Sequence, residues 1–173
     1  MTGPGSKSKP RHLRRNRRRR QHGCWGHLIV APLWVAYDVN LGTMLRTCDA
    51  VGACMAVPDT KHYRNALAHG DTLVRRPHIH RVRGSKLGWI ERQRIDGWRI
   101  AAVELADDAI PLPRLDAAEQ PTVVLLGHEH HGIPEEAWSL LDDVVEIPMV
   151  GRGASLNVAV AGSLVLYRLA GLA

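Results

Sequence analysis

Short apolar segments alternate along this chain with segments of helical periodicity, and this alternation limits the possible folds. Five apolar runs have the length of buried strands: His27–Ala36, Ala53–Val57, Trp98–Leu105, Thr122–Leu126 and Val144–Pro148. Such runs are typical of parallel strands covered on both faces. Helical patterns cover Asn40–Gly52, His62–Ala68, Ser85–Ile95, Pro134–Leu141 and Leu156–Leu169. Residues 71–84 carry no clear pattern, and the proline-rich stretch to Pro121 is a predicted loop with room for one helical turn. The order predicts an α/β domain with a mostly parallel sheet.

The first predicted helix has two different faces. Its apolar face consists of Leu41, Met44, Leu45 and Cys48, and its polar face of Thr43, Arg46, Thr47 and Ala50. Asn40 is the expected N-cap, because its side chain can accept a hydrogen bond from the first turn. Gly52 stands where a helix commonly ends in a left-handed residue.

Positive charge is concentrated at the N-terminus. Residues 1–20 hold nine Lys or Arg and no acid, whereas the remaining 153 residues hold 14 basic and 17 acidic side chains. We therefore expect residues 1–24 to form a basic, disordered arm that binds the phosphates of a nucleic acid, and residues 25–173 to form one folded domain. A solvated tail is the alternative interpretation of the arm.

Length, cysteines and hydropathy exclude several classes of protein. A chain of 173 residues suits one domain of ordinary size. No apolar run approaches the length of a membrane span, and the N-terminus lacks the apolar core of a secretion signal. Cys24, Cys48 and Cys54 are odd in number and show no C-x-x-C spacing, so neither a disulfide framework nor a zinc site is expected. These features predict a cytoplasmic protein that does not bind membranes.

Three loops at the ends of predicted strands carry polar residues and glycines: Asp38–Ala53, Leu126–Pro134 and Ile147–Ala161. In parallel α/β sheets, ligands bind beyond the carboxyl ends of the strands. Taken singly, each loop has a purely structural explanation. Asn40, Ser155 and Asn157 can be helix caps, and Arg46 can pair with Asp49. The run from His128 to His131 differs from the H-E-x-x-H metal motif, so no metal is expected there.

Taken together, the loops resemble the three motifs of the SpoU (TrmH-like) family of SPOUT RNA methyltransferases. The first motif is matched by Asn40, Gly42, Arg46, Ala50 and Gly52, and the second by Gly127, Glu129, Gly132 and Ile133. The third is matched by Ile147, Pro148, Met149, Ser155, Leu156, Asn157 and Ala161. The resemblance covers residues 27–171 and leaves no family position unmatched.

The resemblance implies a SPOUT (α/β-knot) fold with a deep trefoil knot near the C-terminus and a homodimer with its active site at the subunit interface. It also implies a pocket for S-adenosylmethionine (AdoMet) formed by Gly127, Ile147, Met149, Leu156 and the end of the strand near Leu105. The implied reaction is methyl transfer to a ribose 2′-hydroxyl of RNA, with tRNA favoured over ribosomal RNA.

The implied catalytic residues are Arg46, Asn40, Glu129, Ser155 and Asn157. Arg46 resembles the family arginine that activates the hydroxyl. Because a guanidinium rarely gives up its proton, stabilising the developing alkoxide and holding a phosphate suit Arg46 better than the role of a base. Asn40 would orient Arg46 or the ribose, and Glu129 would hold the arginine or the substrate. Two other functions remain open, namely a non-catalytic RNA-binding protein of the same fold and a metal hydrolase using the histidines of the second motif.

Overall fold

The computed structural model describes residues 27–70, 73, 76–153 and 155–173. Within these residues seven strands form one sheet in the order β3-β2-β1-β6-β4-β7-β5, and every strand pairing is parallel. The strands are β1 (Leu28–Ala31), β2 (Cys54–Pro58), β3 (Ile79–Val82), β4 (Arg99–Val103), β5 (Ile110–Pro111), β6 (Thr122–Leu126) and β7 (Asp143–Glu146). The α/β class with a parallel sheet is confirmed. The arm predicted for residues 1–24 lies outside the described residues.

The helices cover both faces of this sheet. They are α1 (Asp38–Val51), α2 (Lys61–Gly70), α3 (Lys86–Ile95), α4 (Glu135–Trp138) and α5 (Val158–Leu169), with a 3₁₀ turn at Leu112–Arg114. Because successive strand residues point to opposite faces, the core divides in two. Leu28 and Val30 of β1 pack in the layer that contains α1 and α5, whereas Ile29 lies in the layer that contains α3 and α4.

Several predicted boundaries are wrong, and local chemistry explains most of them. The first strand ends at Ala31, five residues early, because Pro32 has no N–H with which to continue the ladder. The last helix begins at Val158 instead of Leu156, since the Asn157 side chain caps it. The helix predicted for Pro134–Leu141 is only four residues long. Strands β3 and β5 were not predicted.

The start of α1 also differs from the prediction. The helix begins at Asp38, and Tyr37 occupies the N-cap position without a side-chain hydrogen bond. Asn40 lies inside the helix and is 3% exposed, so it is not the cap. The predicted apolar face is confirmed, but Thr47 of the predicted polar face is buried. Its hydroxyl lies 2.7 Å from that of Ser163 and joins α1 to α5.

Candidate active site

The three polar segments meet at the carboxyl ends of β1, β6 and β7, and the first of them, Asp38–Ala53, is mostly helix α1 and not a loop. Strands β1 and β6 are neighbours in parallel register, from Leu28 beside Thr122 to Ala31 beside Leu125. The loop after β1 therefore lies beside the loop after β6, as expected for a ligand site in a parallel sheet. Helix α5, which follows the third loop, packs against α1 and β6.

Glu129, in the loop after β6, binds the start of α1. Its Oε2 accepts a hydrogen bond from the backbone N–H of Ala36 at 3.0 Å. Its Oε1 accepts from the backbone N–H of Tyr37 at 3.2 Å and from Nδ2 of Asn40 at 2.7 Å. One carboxylate thus connects the second loop to the first through three donors.

The second amide group in this network belongs to Asn157. Its Nδ2 donates to Oδ1 of Asn40 at 2.9 Å. Its own Oδ1 accepts from the backbone N–H groups of Ala159 and Val160, so the same side chain caps α5. The chain of contacts Glu129–Asn40–Asn157 therefore joins all three loops, and three of the five predicted catalytic residues lie in it.

The charge of Glu129 is stabilised by these donors. Burial by itself raises the pKa of this carboxyl, but hydrogen bonds from the backbone of Ala36, Glu129 and Tyr37 and from the Asn40 side chain outweigh that effect. The net result is a pKa below the ordinary value for glutamate. Glu129 is therefore a carboxylate at neutral pH, with its oxygens already accepting hydrogen bonds.

The loop around Glu129 folds back on itself. His128 and Gly132 exchange backbone hydrogen bonds of 2.8 and 2.9 Å. Gly127 lies so close to this turn that a Cβ atom there would overlap the carbonyl carbon of Gly132. Gly132 has a φ of +64°, a conformation that side chains other than glycine rarely adopt. Both glycines are thus required by the loop itself.

A cavity of about 430 Å³ opens beside this network, a volume in the range of small-molecule sites. All five residues expected to contact the cofactor line it: Leu105, Gly127, Ile147, Met149 and Leu156. Three of them have side chains that are 40–65% exposed, namely Leu105, Met149 and Leu156. Exposed apolar side chains around a concave site indicate a ligand with apolar surface.

The remaining two predicted catalytic residues occupy different places. Ser155 lines the cavity, together with Glu129. Arg46 is exposed on α1 and does not belong to the cavity lining of its own chain. Arg46 is six positions after Asn40, which places the two residues about 120° apart around the helix. The structure therefore brings Asn40, Glu129, Ser155 and Asn157 together and leaves Arg46 on the outer surface.

Two residues that sequence reasoning missed support the site. The buried hydroxyl of Tyr63, in α2, lies 3.1 Å from the carbonyl oxygen of Leu33 and 2.8 Å from that of Val35, and these two acceptors share its one proton. This contact holds the loop that precedes Ala36. Burial, and then the charge of Glu129, raise the pKa of the Tyr63 phenol, which stays protonated. Glu104 adds a second acid to the cavity wall. Neither residue belongs to a motif, so no local signal identified them.

The histidines of the second loop lie beside Tyr37. The Nε2 atom of His130 is 3.1 Å from the Tyr37 hydroxyl, and Nδ1 of His128 accepts from the backbone N–H of His130. His128 and His131 have ring centroids 4.7 Å apart. These contacts hold the loop against the start of α1.

A concave apolar site at the carboxyl ends of a parallel sheet, flanked by a polar network, is typical of an α/β enzyme. The sequence profile of the SpoU rRNA Methylase family matches residues 28–167. The chain belongs to this family.

Its relatives include tRNA (guanosine(18)-2'-O)-methyltransferases. The protein of Escherichia coli (strain K12) is 36% identical over 132 residues, and that of Thermus thermophilus is 34% identical over 137 residues. Both alignments cover 74% of this chain, but they cover 56% and 66% of the respective relatives. This chain thus spans somewhat more than half of the length of these proteins.

Two solved structures superimpose on most of this chain. The A. aeolicus TrmH/SpoU tRNA modifying enzyme superimposes with a TM-score of 0.71 at 26% identity, covering 94% of this chain and 82% of that one. An AdoMet-bound rRNA methyltransferase from Sinorhizobium meliloti gives 0.70 at 28% identity, covering 86% of this chain and 57% of that one.

Proposed function

We propose that this chain is an AdoMet-dependent RNA methyltransferase that acts on a ribose 2′-hydroxyl, with tRNA as the substrate. The observation that carries the proposal is the Glu129–Asn40–Asn157 network, which connects the three family motifs beside an apolar cavity. The choice of tRNA is supported by relatives whose names specify 2'-O-methylation of tRNA guanosine. Ribosomal RNA is the alternative substrate, since another relative is named a 23S rRNA (uridine(2479)-2'-O)-methyltransferase.

The cavity fits AdoMet in size and in the chemistry of its walls. The exposed side chains of Leu105, Met149 and Leu156 supply apolar surface for the adenosine part. Gly127 and Ile147 line the same space. When bound, AdoMet supplies a methyl group on a sulfonium centre.

This cofactor site has a direct test. A tryptophan at position 156 would fill part of the cavity while changing a side chain that is already 40% exposed. We expect Leu156→Trp to weaken AdoMet binding at least 100-fold in calorimetry with an unchanged melting temperature. Val150→Trp is the matched control, because Val150 is fully exposed and does not line the cavity. Unchanged affinity in Leu156→Trp would rule out this pocket.

The polar residues position the substrate. A ribose hydroxyl is a poor nucleophile that must lose its proton as it attacks, so a fixed set of donors and acceptors around it lowers the barrier. Ser155 offers such a group on the cavity wall. Asn40 and Asn157 bind each other and so act by holding the loops in place. The guanidinium of Arg46 suits a developing alkoxide and the neighbouring phosphate.

Arg46 reaches such a position in a homodimer. Along α1 the exposed residues Val39, Thr43, Arg46 and Ala50 form one stripe, because at 100° per residue the four lie within about 60° of each other around the helix. Val39 is 72% exposed, and the adjoining helix α5 exposes Val160, Leu164 and Tyr167 by 37–45%. We propose that this apolar surface is the dimer interface and that Arg46 acts at the site of the partner subunit.

Mixed dimers test this arrangement. Arg46→Ala and Leu156→Trp are each expected to lack activity as homodimers, since one lacks the arginine and the other the pocket. If Arg46 acts across the interface, a mixed dimer has one intact site, so random mixing should restore about a quarter of wild-type activity. An inactive mixture that contains mixed dimers would place Arg46 at its own subunit's site.

The C-terminal knot belongs to the same proposal. Strand β7 lies beyond β4, yet α5 returns to pack on α1, β1 and β6. The chain between them lines the cavity at Ile147 and Leu156 next to the loop at Gly127, as a segment threaded through that loop would do. A crystal structure that traces residues 126–173 tests the threading.

The substrate itself is identified by comparing nucleosides. Mass spectrometry of tRNA and ribosomal RNA from cells with and without this protein should show one 2′-O-methylated nucleotide that depends on it. Transfer of labelled methyl to that RNA by the purified protein is the second readout. RNA binding without any transfer would favour the non-catalytic alternative. Among the described residues no helix has both the length and the apolar character needed to cross a bilayer.

The relatives named as tRNA methyltransferases support the further proposal that the reaction takes place in the cytoplasm.

A further inference from the structure

Three side chains of types that can bind metals lie close together where β2 pairs with the outermost strand β3. The two strands are in parallel register, with Met55 beside Ile79 and Ala56 beside His80. The backbone N–H of Met55 also donates to the carbonyl of His78 at 3.0 Å. Because side chains alternate along strands, Cys54, His78 and His80 point to the same face of the sheet.

The ligand atoms of these residues, one sulfur and two imidazole nitrogens, all lie within 4.8 Å of one another. In the part of the chain that the structure describes, this is the one group of three such side chains with that proximity. Two ligand atoms bound to one tetrahedral zinc are about 3.3–3.6 Å apart. Rotation of the two imidazole side chains would have to move their nitrogen atoms by about 1 Å to reach the separations found around zinc.

We propose that Cys54, His78 and His80 bind a zinc ion, with water from the solvent as the fourth ligand. The mixture of one thiolate and two imidazoles suits zinc, which accepts both sulfur and nitrogen in a tetrahedral arrangement. Binding releases the thiol proton to the solvent and involves no oxidation or reduction.

The three side chains of the cluster differ in how deeply they are buried. Cys54 is 1% exposed and belongs to the core, His80 is half-buried, and His78 is exposed. The thiolate would thus be shielded while the fourth position faces solvent, where an ion can enter. The residue opposite His80 is Ala56, whose methyl group leaves room beside the imidazole.

The proposed ion would link two strands of the sheet and lies away from the cavity. Cys54 is the first residue of β2, and His78 immediately precedes β3, so the cluster lies at the amino ends of these strands. The cavity lies at the carboxyl ends of the parallel strands, and therefore at the opposite end of the strands from the cluster. Zinc would tie the edge strand β3 to β2, because one ligand comes from β2 and two come from the β3 segment.

The first experiment measures zinc in the full-length, untagged protein. After equilibration with micromolar free zinc and removal of the excess, elemental analysis should find one zinc per chain. Replacing zinc by cobalt should give intense visible bands of a tetrahedral centre and a thiolate-to-cobalt band in the near ultraviolet. Less than stoichiometric zinc, or cobalt spectra without the thiolate band, would overturn the proposal.

Variants locate the site. Cys54→Ser and His78→Ala should each weaken zinc binding by about 100-fold or more, because losing a ligand costs more than the 10–100-fold that is typical of losing a residue that only orients a ligand. His78 is exposed, so the zinc-free His78→Ala protein should melt like the zinc-free wild type. Wild-type affinity in either variant would refute the assignment.

Two other cysteines provide matched controls. Cys48 is buried in the core layer that contains α1 and α5, whereas the Cys54 side chain belongs to the layer on the other face of the sheet. Cys48→Ala and Cys24→Ser should therefore bind zinc as the wild type does. Loss of zinc in Cys24→Ser would move the site to the N-terminal arm and contradict the proposal.

Discussion

Replacing Glu129 by glutamine tests whether this carboxylate holds the active-site loops together. Glutamine keeps the size of the side chain but offers only one acceptor oxygen. With that oxygen in the Oε1 position, the N–H of Tyr37 and the amide of Asn40 keep an acceptor, whereas the new NH₂ group faces the N–H of Ala36. Any rotamer therefore leaves at least one of the three donors without a partner.

The magnitude follows from these contacts. A partly buried donor left without its acceptor costs about 1–3 kcal/mol, and each of the other two bonds loses roughly 0.5–1 kcal/mol when its acceptor becomes neutral. The free energy of unfolding should thus fall by about 2–5 kcal/mol at pH 7, out of the 5–15 kcal/mol that is typical of a domain. For a protein of this size, the melting temperature should drop by about 4–20 °C.

The difference between the two proteins should also depend on pH. The pKa of Glu129 is lowered in the folded protein, so its stabilisation is complete above the unfolded pKa of about 4.3 and is lost as the pH falls through the folded pKa. Urea unfolding from pH 7 to pH 3 measures this difference. Glu119→Gln, at an exposed loop position, is the control. A Glu129→Gln protein as stable as wild type at pH 7, or a difference that stays constant to pH 3, would refute the reasoning.

Three further predictions concern the supports of the site and the arm. Tyr63→Phe should cost about 1–2 kcal/mol of unfolding free energy in urea titrations, because two carbonyls of the loop after β1 lose their buried donor. Gly127→Ala should lower the melting temperature more than Gly153→Ala, because a Cβ at position 127 would overlap backbone atoms of Gly132 and Ile133, whereas one at position 153 meets nothing within 4 Å. Equal losses would show that the close approach of the two backbone segments does not limit the residue at position 127. Removing residues 1–22 should weaken RNA binding and flatten the dependence of log K on log salt, and an unchanged slope would exclude a phosphate-binding arm.

The position of the site was predictable because parallel strands place their carboxyl ends at one edge. The loops after β1 and β6 were recognised by their glycines and polar residues, and the structure places them side by side. The role of Asn40 was not predictable in the same way. Local reasoning made it a cap, but its amide binds Glu129 and Asn157, which are 89 and 117 residues away in the sequence. Local propensity contains no information on such distant partners.

The missed strands have a different cause. Strand β3 contains His80 and Arg81 between two apolar residues, and it lies at the edge of the sheet, where one side of the strand has no neighbour among the described residues. Edge strands need fewer apolar residues than central ones, so the pattern that identifies Thr122–Leu126 is absent. Strand β5 has only two residues and follows from its pairing with β7, which no periodicity indicates.

The register of β2 and β3 also explains why the sequence excluded zinc and the structure suggests it. The expectation rested on the spacing of cysteines, but Cys54 and His78 are separated by a helix, and only strand pairing brings them together. The same pairing separates this cluster from the cavity, because parallel strands have all their amino ends on one side of the sheet and all their carboxyl ends on the other.

If both proposals hold, a zinc chelator should lower the melting temperature of the chain while AdoMet still binds to the folded fraction. Loss of AdoMet binding at a temperature where the zinc-free protein remains folded would mean that the zinc cluster and the cavity are coupled through the sheet.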